Sequence, residues 1–291
     1  MSIGSATVSL KEAIRNLDTL PAIPMIAQKI LALDMGSDQG ERAMLKLAEK
    51  DPQIAAKIIG LANAPLFGAS KRISSVTDAA MLLGITRVKS VTIGIAVMSS
   101  LLKNRGGKLN VQDLWLHSLA ISIAMRTISR AMPRNTRPLD DEILLAGLLH
   151  DIGYVVLNHL DPMRSDELQA RFATETGRSC IEIENELLGI SHCELGAELA
   201  RFWELPACII AVLRYHHDPD NEDAAVGQPL VSMVSLAEKA LNVFGIPEGE
   251  PDEIHREEWQ ALGIDPSRAD ELIELITKQV EEVKQAAGNF P

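Results

Sequence analysis

The chain has 291 residues and is 46% hydrophobic, which supplies enough apolar side chains for a packed core and excludes disorder as its main state. Its aromatic residues are three Trp, two Tyr and five Phe, which favours an aliphatic core of helices over an all-β domain. The formal net charge of −12 disfavours binding of nucleic acid across the whole surface.

The net charge hides an asymmetry between the two halves of the chain. Residues 1–105 carry 13 basic and 8 acidic side chains, a net charge of +5, whereas residues 106–291 carry 15 basic and 32 acidic ones, a net charge of −17. Such different surfaces indicate two subdomains. We place the boundary at Lys103–Lys108 (KNRGGK), a polar stretch with a Gly-Gly pair where the charge changes sign.

The first half has the pattern of short amphipathic helices. Apolar residues at three- and four-residue spacing predict helices over 24–34, 42–50, 52–63, 76–84 and 86–104. Pro24 and Pro52 suit helix starts, and Ser75 or Thr77 can cap the fourth helix. Asn63 is expected to close the third helix in a left-handed conformation.

A loop rich in turn-forming residues, NAPLFGASKR, carries Lys71 and Arg72 toward solvent. Arg87 and Lys89 follow on the next predicted helix. These four side chains form either an ordinary solvated face or a docking surface for an acidic protein or a nucleotide second messenger. The contrast between +5 in this half and −17 elsewhere motivates the second interpretation.

The second half is predicted to contain a longer series of helices, over 111–132, 141–160, 163–177, 180–188, 206–217, 229–244 and 267–286. One more helix is predicted to begin at Ser191. We therefore predict an all-α protein of two helical subdomains. The first is an N-terminal bundle over residues 10–105, and the second is a bundle over 109–245. An acidic helical appendage over 246–291 either packs on the core or acts as a lever to a partner.

The cysteines and the N-terminus bear on the compartment. Cys180, Cys193 and Cys208 are odd in number and form no CxxC pair, which excludes a disulfide framework and a four-cysteine zinc site and indicates a reducing compartment. The N-terminus lacks the pattern of a signal peptide, and no uninterrupted apolar run reaches about 18 residues. The sequence therefore predicts a cytoplasmic protein without a membrane segment.

Histidines are the strongest chemical signal, since six of the seven fall between positions 117 and 217. His150 and Asp151 are adjacent in the run LAGLLHDIG, which predicts a buried helix with an imidazole and a carboxylate at one point of its surface. Such ligands suit iron, manganese or zinc and can be recruited from several helices. If the helices surround one cavity, that cavity would contain five imidazoles and two carboxylates. The imidazoles would come from His117, His150, His192, His216 and His217, and the carboxylates from Asp151 and Glu238.

The alternative is that these histidines only satisfy hydrogen bonds in a helical core. His117 follows Trp115 and precedes an apolar stripe, which by itself is typical of a core histidine. Cys193 directly follows His192 and is expected to face away from it on a helix, so we interpret this thiol as a packing residue.

These residues and motifs carry a resemblance to a known family. The chain is similar to the HDOD domain, the HD-related output domain of bacterial signalling proteins, and its second half resembles the HD superfamily of metal-dependent phosphohydrolases. The likeness covers roughly residues 15–245 and rests on LPAIPMIAQKILAL, LAEKDPQIAAKIIGLANAPLFG, ISSVTDAAMLLGITRVKSVTIGIAV, LWLHS and LLAGLLHDIG, in the expected order.

The resemblance implies an HD-like second bundle with a ligand set for one or two divalent ions. It makes His117 the first-helix histidine, His150 and Asp151 the HD pair, His192 the next ligand, His216 and His217 the histidine pair, and places Glu238 near where related hydrolases keep an aspartate.

Two departures from the related enzymes bear on catalysis. The HD-GYP enzymes that cleave cyclic dinucleotides continue the motif as HDIGK and follow the histidine pair with a Gly-Tyr-Pro segment. This chain has Tyr154 in place of the lysine, and HHDPDNEDAAVG lacks that segment. The lysine is a cation well placed to neutralise a phosphate oxygen.

We therefore expect a regulatory signal-transduction output module. It would bind a signalling protein partner or a nucleotide second messenger without catalysis. The alternative is a metal-dependent phosphohydrolase acting on a nucleotide or cyclic dinucleotide, with His150 and Asp151 as its catalytic residues.

Overall fold

The computed structural model describes residues 10, 14, 22–64, 67–101, 107–241 and 253–287, with the side chains at 283 and 285–287 excepted. Fifteen α-helices and three short 3-10 segments, but no strand, occur among these residues. The predicted all-α class is confirmed. The domain limits near 105 and 245 lie outside the described residues, so the division at 105, 109 and 245 stays a prediction.

The first half contains five helices in the predicted order: α1 (Met25–Leu31), α2 (Asp38–Glu49), α3 (Pro52–Ala62), α4 (Val76–Leu83) and α5 (Ile85–Leu101). Helix α2 begins four residues before the predicted start because the Ser37 side chain caps it, accepting the backbone N–H of Gly40. Asp51 and Ser75 cap α3 and α4 in the same way. Three successive helix starts are therefore fixed by local side-chain oxygens.

Asn63 does not adopt the left-handed conformation expected for it, since its φ is −85°. Its amide instead joins two segments. Nδ2 donates to the carbonyls of Ile59 and Ile73 at 2.8 and 2.9 Å, and Oδ1 accepts the N–H of Ile73 at 2.9 Å. The side chain thus satisfies backbone groups at the end of α3 and before α4, which leaves no need for a left-handed cap.

The second half continues with α6 (Val111–Ala131), α7 (Asp140–Leu149), α8 (Ile152–Leu160), α9 (Pro162–Thr174), α10 (Cys180–Leu188), α11 (His192–Phe202), α12 (Ala207–Tyr215) and α13 (Leu230–Ala240). The prediction of one helix over 141–160 is wrong. His150 ends α7, and Asp151 leaves the helical conformation before α8 begins. The apolar run is buried on both sides of this break, so hydrophobic periodicity does not reveal it.

Residues 140–160 would together be long and apolar enough to cross a membrane. However, 83% of their most apolar window is buried inside the protein. Helix α7 packs between α5 and α6, and α8 packs against α11. The hydropathy of this stretch is therefore that of a core element.

Helix α5 connects the two halves. It packs against α1, α3 and α4 in the first half and against α7 in the second. Arg87 and Lys89 on α5 form ion pairs with Asp140 at 2.9 Å and Asp141 at 3.9 Å, in the first turn of α7. Two of the four predicted docking residues are thus occupied within the protein, whereas Lys71 and Arg72 are exposed.

The described part of the tail forms α14 (Arg256–Ala261) and α15 (Ala269–Ala287). Helix α15 packs on α6, where Thr127 donates to Gln279 Oε1 at 2.8 Å. Helix α14 was not predicted, because six residues are too few to show apolar periodicity. Its Trp259 is buried. Of the two alternatives for the tail, packing on the core is therefore the one observed in residues 253–287.

Replacing Asn63 with Ala should lower the free energy of unfolding by about 1–3 kcal/mol, because both backbone groups of Ile73 lose their partner. Urea denaturation measures the change. Asn135→Ala, at an exposed position in a 3-10 segment, is the control and should stay within about 0.5 kcal/mol of the parent. Equal effects of the two substitutions would contradict a stabilising role of the Asn63 hydrogen bonds to Ile73.

Candidate metal centre

The structure brings together all seven predicted ligand residues inside the second half. His117 lies in the middle of α6, His192 begins α11, and Glu238 lies on α13. The remaining four occupy helix ends: His150 and Asp151 form the junction of α7 and α8, and His216 and His217 follow α12. Five segments of the chain therefore converge on one point.

Two glycines allow this convergence. A Cβ at Gly147 would lie 2.7 Å from the Cα of Ser122, so α7 approaches α6 closely next to His150. A Cβ at Gly153 would lie 1.9 Å from the carbonyl oxygen of His192, so α8 approaches α11 next to Asp151. Any larger residue at either position would push ligand-bearing segments apart.

Three of the imidazoles are held in a fixed tautomer. Nδ1 of His150 donates to the Gly147 carbonyl at 2.9 Å, and Nδ1 of His216 donates to the Val212 carbonyl at 3.0 Å. Nδ1 of His192 donates to the Glu184 carboxylate at 2.8 Å. Because these partners only accept, the proton resides on Nδ1 and Nε2 of each neutral ring is left with a lone pair for a metal.

The Asp151 carboxylate lies between two pairs of histidines, and each of its oxygens faces the Nε2 atoms of one pair. Oδ2 of Asp151 lies 3.3 Å from Nε2 of His117 and 3.2 Å from Nε2 of His150. Oδ1 lies 3.4 Å from Nε2 of His192 and 3.7 Å from Nε2 of His216. Each oxygen of this one carboxylate therefore serves a different pair of imidazoles.

Glu238 adds a second carboxylate. Its Oε1 lies 3.2 Å from Nε2 of His150 and 3.8 Å from Nε2 of His216, and its Oε2 lies 3.9 Å from Nδ1 of His217. His217 is at the edge of the cluster, with 22% of its side chain exposed. The other predicted histidine ligands and Asp151 are buried.

These residues fit a metal ion. The Nε2 atoms of His192 and His216, both acceptors in the tautomers above, face each other at 3.2 Å, which is unfavourable without a cation or a proton between them. Both oxygens of Asp151 and Oε1 of Glu238 are buried without a hydrogen-bond partner. Buried acceptors in this arrangement are expected to coordinate a cation.

The separations between ligand atoms agree with this interpretation. Metal bonds of about 2.0–2.2 Å at angles between about 90° and 110° place neighbouring nitrogen and oxygen ligands about 3.0–3.5 Å apart. Nε2 of His117 and of His150 are 3.2 Å apart, and Nε2 of His150 and Oε1 of Glu238 are also 3.2 Å apart. The donors are thus spaced as ligands of a shared ion would be.

The ionisation of Asp151, His216 and Glu238 also favours a cation, whereas Cys193 and Glu184 outweigh burial and raise the pKa of His192, which has to release a proton when it binds a metal. Burial alone would raise the pKa of Asp151, but His150 and His117 outweigh it and hold that pKa well below its ordinary value. Burial and repulsion by His217 lower the pKa of His216, which keeps this imidazole neutral. Burial and the nearby Asp151 raise the pKa of Glu238. Glu238 therefore gains its charge most readily when a metal compensates it.

Two residues near the centre were missed or misjudged from the sequence. Glu184 on α10, which binds both Nδ1 and the backbone N–H of His192, carries no sequence motif and was not predicted. Cys193 was expected to face away from His192, and this is wrong: its Sγ lies 3.4 Å from His192 Nε2. Both residues begin α11, and the imidazole is long enough to span the angle between adjacent side chains.

Tyr154, where the resemblance to the HD-GYP enzymes predicts a lysine, is buried beside the centre. Its ring stacks on His192 with the centroids 4.3 Å apart and the planes 18° apart, and it meets Phe172 edge-on at 6.2 Å. An aromatic ring thus covers one face of the candidate ligand His192.

An all-helical fold with a His-Asp dipeptide at a helix junction and a buried histidine cluster defines an HD-related helical domain. The family model of the HDOD domain matches residues 20–219, and the chain belongs to this family. The predicted resemblance is confirmed.

Two solved structures share the fold over most of the chain. A Marinobacter aquaeolei protein, provisionally named a signal transduction protein, is 25% identical with a TM-score of 0.78 and matches 96% of this chain and 64% of its own. An HDOD domain protein of unknown function from Geobacter sulfurreducens is 27% identical with a TM-score of 0.75 and matches 94% of this chain and 97% of its own.

Among curated proteins, an uncharacterized protein of Treponema pallidum is 22% identical over 241 residues, 81% of this chain and 45% of that protein. The chain therefore spans less than half of this relative and about two thirds of the Marinobacter protein.

Glu184→Gln should weaken metal binding by about 10–100-fold, because the neutral amide holds His192 less firmly in the ligand tautomer. Competition with a chelator of known affinity measures the loss. Glu182→Gln, two residues earlier on α10 and exposed, is the matched control and should bind as the parent does. An unchanged affinity for Glu184→Gln would show that this carboxylate does not orient the ligand.

Proposed function

We propose that this chain is a metal-binding, non-catalytic HDOD output module of a cytoplasmic signalling system, which acts by binding a signalling protein or a nucleotide second messenger. Its metal ion, of iron, manganese or zinc, would be held by the buried histidine cluster and would have a structural role. The burial of the ligand atoms is the observation that carries this proposal: the side chains of His150, Asp151 and His216 are all 0% exposed.

A phosphohydrolase has to bring a phosphate oxygen and a water molecule to its metal. Here the ring of Tyr154 lies against His192, and the imidazoles fill the space around Asp151. The same tyrosine replaces a cation that would stabilise the developing charge of a phosphate. A closed centre without that cation suits a structural ion better than a catalytic one.

The regulatory role is supported by the family. Membership of the HDOD family and the likeness to the Marinobacter protein, provisionally named a signal transduction protein, both point to signalling. The packing of α5 against both halves offers a rigid connection through which binding at the first half would reach the metal centre.

The alternative, a metal-dependent phosphohydrolase acting on a nucleotide or cyclic dinucleotide, is favoured by one observation. Each oxygen of Asp151 faces a different pair of histidines, as a carboxylate between two metal ions would. When bound, such a pair of ions supplies an activated water and a clamp for phosphate oxygens. In that case His150 and Asp151 would be essential for turnover, and the partly exposed His217 marks the side from which substrate would enter.

Metal analysis and a hydrolysis assay separate the two functions. We expect the purified protein to contain iron, manganese or zinc and to melt at a lower temperature after chelation, since an ion at 100 times its Kd stabilises a fold by about 2.7 kcal/mol. We expect no turnover of a panel of nucleotides and cyclic dinucleotides with any of the three ions.

The variants His150→Ala and Asp151→Ala should lose the bound ion and the thermal shift. His159→Ala, a histidine on α8 outside the ligand set, should retain both. Turnover that disappears in His150→Ala and Asp151→Ala but persists in His159→Ala would replace the proposal with the hydrolase. Absence of any bound ion and of any thermal shift would refute metal binding.

The exposed pair Lys71 and Arg72 is the part of the predicted basic surface that is free to meet a partner, since Arg87 and Lys89 pair with α7. If a nucleotide second messenger binds here, Lys71→Glu with Arg72→Glu should weaken that binding at least about tenfold, because the charges that meet its phosphates are reversed. Isothermal titration with the same panel of nucleotides measures the effect.

Arg134→Glu, at an exposed position in the loop between α6 and α7, is the control for a general change in charge. It should leave binding intact. Nucleotide binding that survives the reversal at Lys71 and Arg72 would remove this surface from the proposal, and equal losses in both variants would indicate only a non-specific effect of net charge.

A further inference from the structure

We propose that Cys193 is a thiolate ligand at one end of the buried centre, and that this end selects a thiophilic divalent ion, Zn²⁺ in the first instance. The inference deepens the proposed function and rests on its metal binding. Cys193 lies outside the motifs of the family, and its position next to His192 on a helix predicts a packing residue.

The position of the sulfur carries the inference. Sγ of Cys193 lies 3.4 Å from Nε2 of His192 and 3.9 Å from Nε2 of His216, and these two nitrogens are 3.2 Å apart. A tetrahedral ion with bonds of about 2.3 Å to sulfur and about 2.0–2.1 Å to nitrogen separates sulfur from nitrogen by about 3.6 Å and the two nitrogens by about 3.4 Å. The three atoms thus form one face of a tetrahedral site.

Two residues can supply a fourth donor at the same end. A ring nitrogen of His217 lies within 4.8 Å of the donor atoms of His192, Cys193 and His216. Oδ1 of Asp151 lies 3.4 Å from His192 Nε2 and 3.7 Å from His216 Nε2. This oxygen is buried and has no hydrogen-bond partner. With either His217 or Asp151, the two imidazoles and the thiolate make up the four ligands of a closed zinc site. On binding, the thiol proton passes to solvent and the sulfur donates its electron pair to the ion.

The other end of the centre has a different donor set. His117, His150, Oδ2 of Asp151 and Oε1 of Glu238 supply nitrogen and oxygen atoms, with neighbouring separations of 3.2 and 3.3 Å. Harder ions such as Mn²⁺ and Fe²⁺ suit such ligands, whereas a thiolate favours Zn²⁺. The two ends are therefore chemically unequal, although one carboxylate serves both.

Of the other two cysteines, Cys180 borders the cluster at His217 and Cys208 lies outside it. Cys180 Sγ is 3.9 Å from Nε2 of His217, and it also lies near Glu184 and His192. In that group, His192 contacts Glu184 through Nδ1 and not through the nitrogen proposed to bind the metal. Cys208 Sγ lies 4.0 Å from Glu142 Oε1. These cysteines provide matched controls for the substitution of a thiol.

The test uses the full chain, stripped with a chelator and reloaded with Co²⁺ or Zn²⁺. Co²⁺ should give the near-ultraviolet thiolate-to-cobalt charge-transfer band in the parent, in Cys180→Ser and in Cys208→Ser, and the band should be lost in Cys193→Ser. By chelator competition, Cys193→Ser should weaken Zn²⁺ binding by more than about tenfold, because removing a ligand costs at least as much as disturbing its support. Its Mn²⁺ binding should change less.

X-ray absorption of the Zn²⁺-loaded parent keeps the proposal testable if Cys193→Ser does not fold. We expect a sulfur neighbour at about 2.3 Å. A shell of nitrogen and oxygen alone, a charge-transfer band that survives Cys193→Ser, or a band lost only in Cys180→Ser would overturn the thiolate ligand and leave metal binding standing. A parent that binds neither Co²⁺ nor Zn²⁺ would overturn both this inference and the proposed metal binding.

Discussion

The hydrogen bonds that fix the protons of three imidazoles on Nδ1 are the constraint on which the rest of the structure depends. Because the acceptors of His150, His192 and His216 cannot donate, the Nε2 lone pairs have to face inward toward Asp151. Two of these acceptors are carbonyls near the ends of α7 and α12, so secondary structure itself sets the direction of the ligands. The break between α7 and α8 and the close glycine contacts are the geometric conditions that this inward arrangement requires.

The same arrangement makes the metal-free cluster costly. Buried carboxylate oxygens without donors and opposed acceptor nitrogens each lose the solvation that water would give them. A bound ion would remove these penalties together, which is the physical basis of the proposed structural role. The position of Tyr154 follows the same logic, since its ring seals one face of His192 and keeps water from competing for the ligand.

The helical class, most helices and the seven candidate ligand residues could be predicted, because each depends on a local pattern: apolar periodicity, capping residues, and the histidines with their motif. What could not be predicted leaves no mark in apolar periodicity or in helical spacing. The break at His150 lies in an evenly apolar run, and Glu184 reaches His192 from another helix. Cys193 was misjudged because helical spacing describes Cβ directions and not the reach of an imidazole. Asn63 was assigned a cap because its contact with Ile73 is not local.

His150 and His216 each stand at the C-terminal end of a helix, where the peptide dipoles leave a partial negative charge of about half an elementary charge. Helices α7 and α12 therefore direct two such ends toward the cluster, while α8 begins after Asp151 and α11 begins at His192, which brings two helix ends of the opposite sign to the same place. The four helix ends therefore oppose one another, and the negative potential near Asp151 comes from its own carboxylate, whose pKa the neighbouring histidines hold low. That carboxylate attracts cations and opposes the approach of anions before any ligand bond forms. A free phosphate would meet an unfavourable potential here unless bound ions had already reversed its sign.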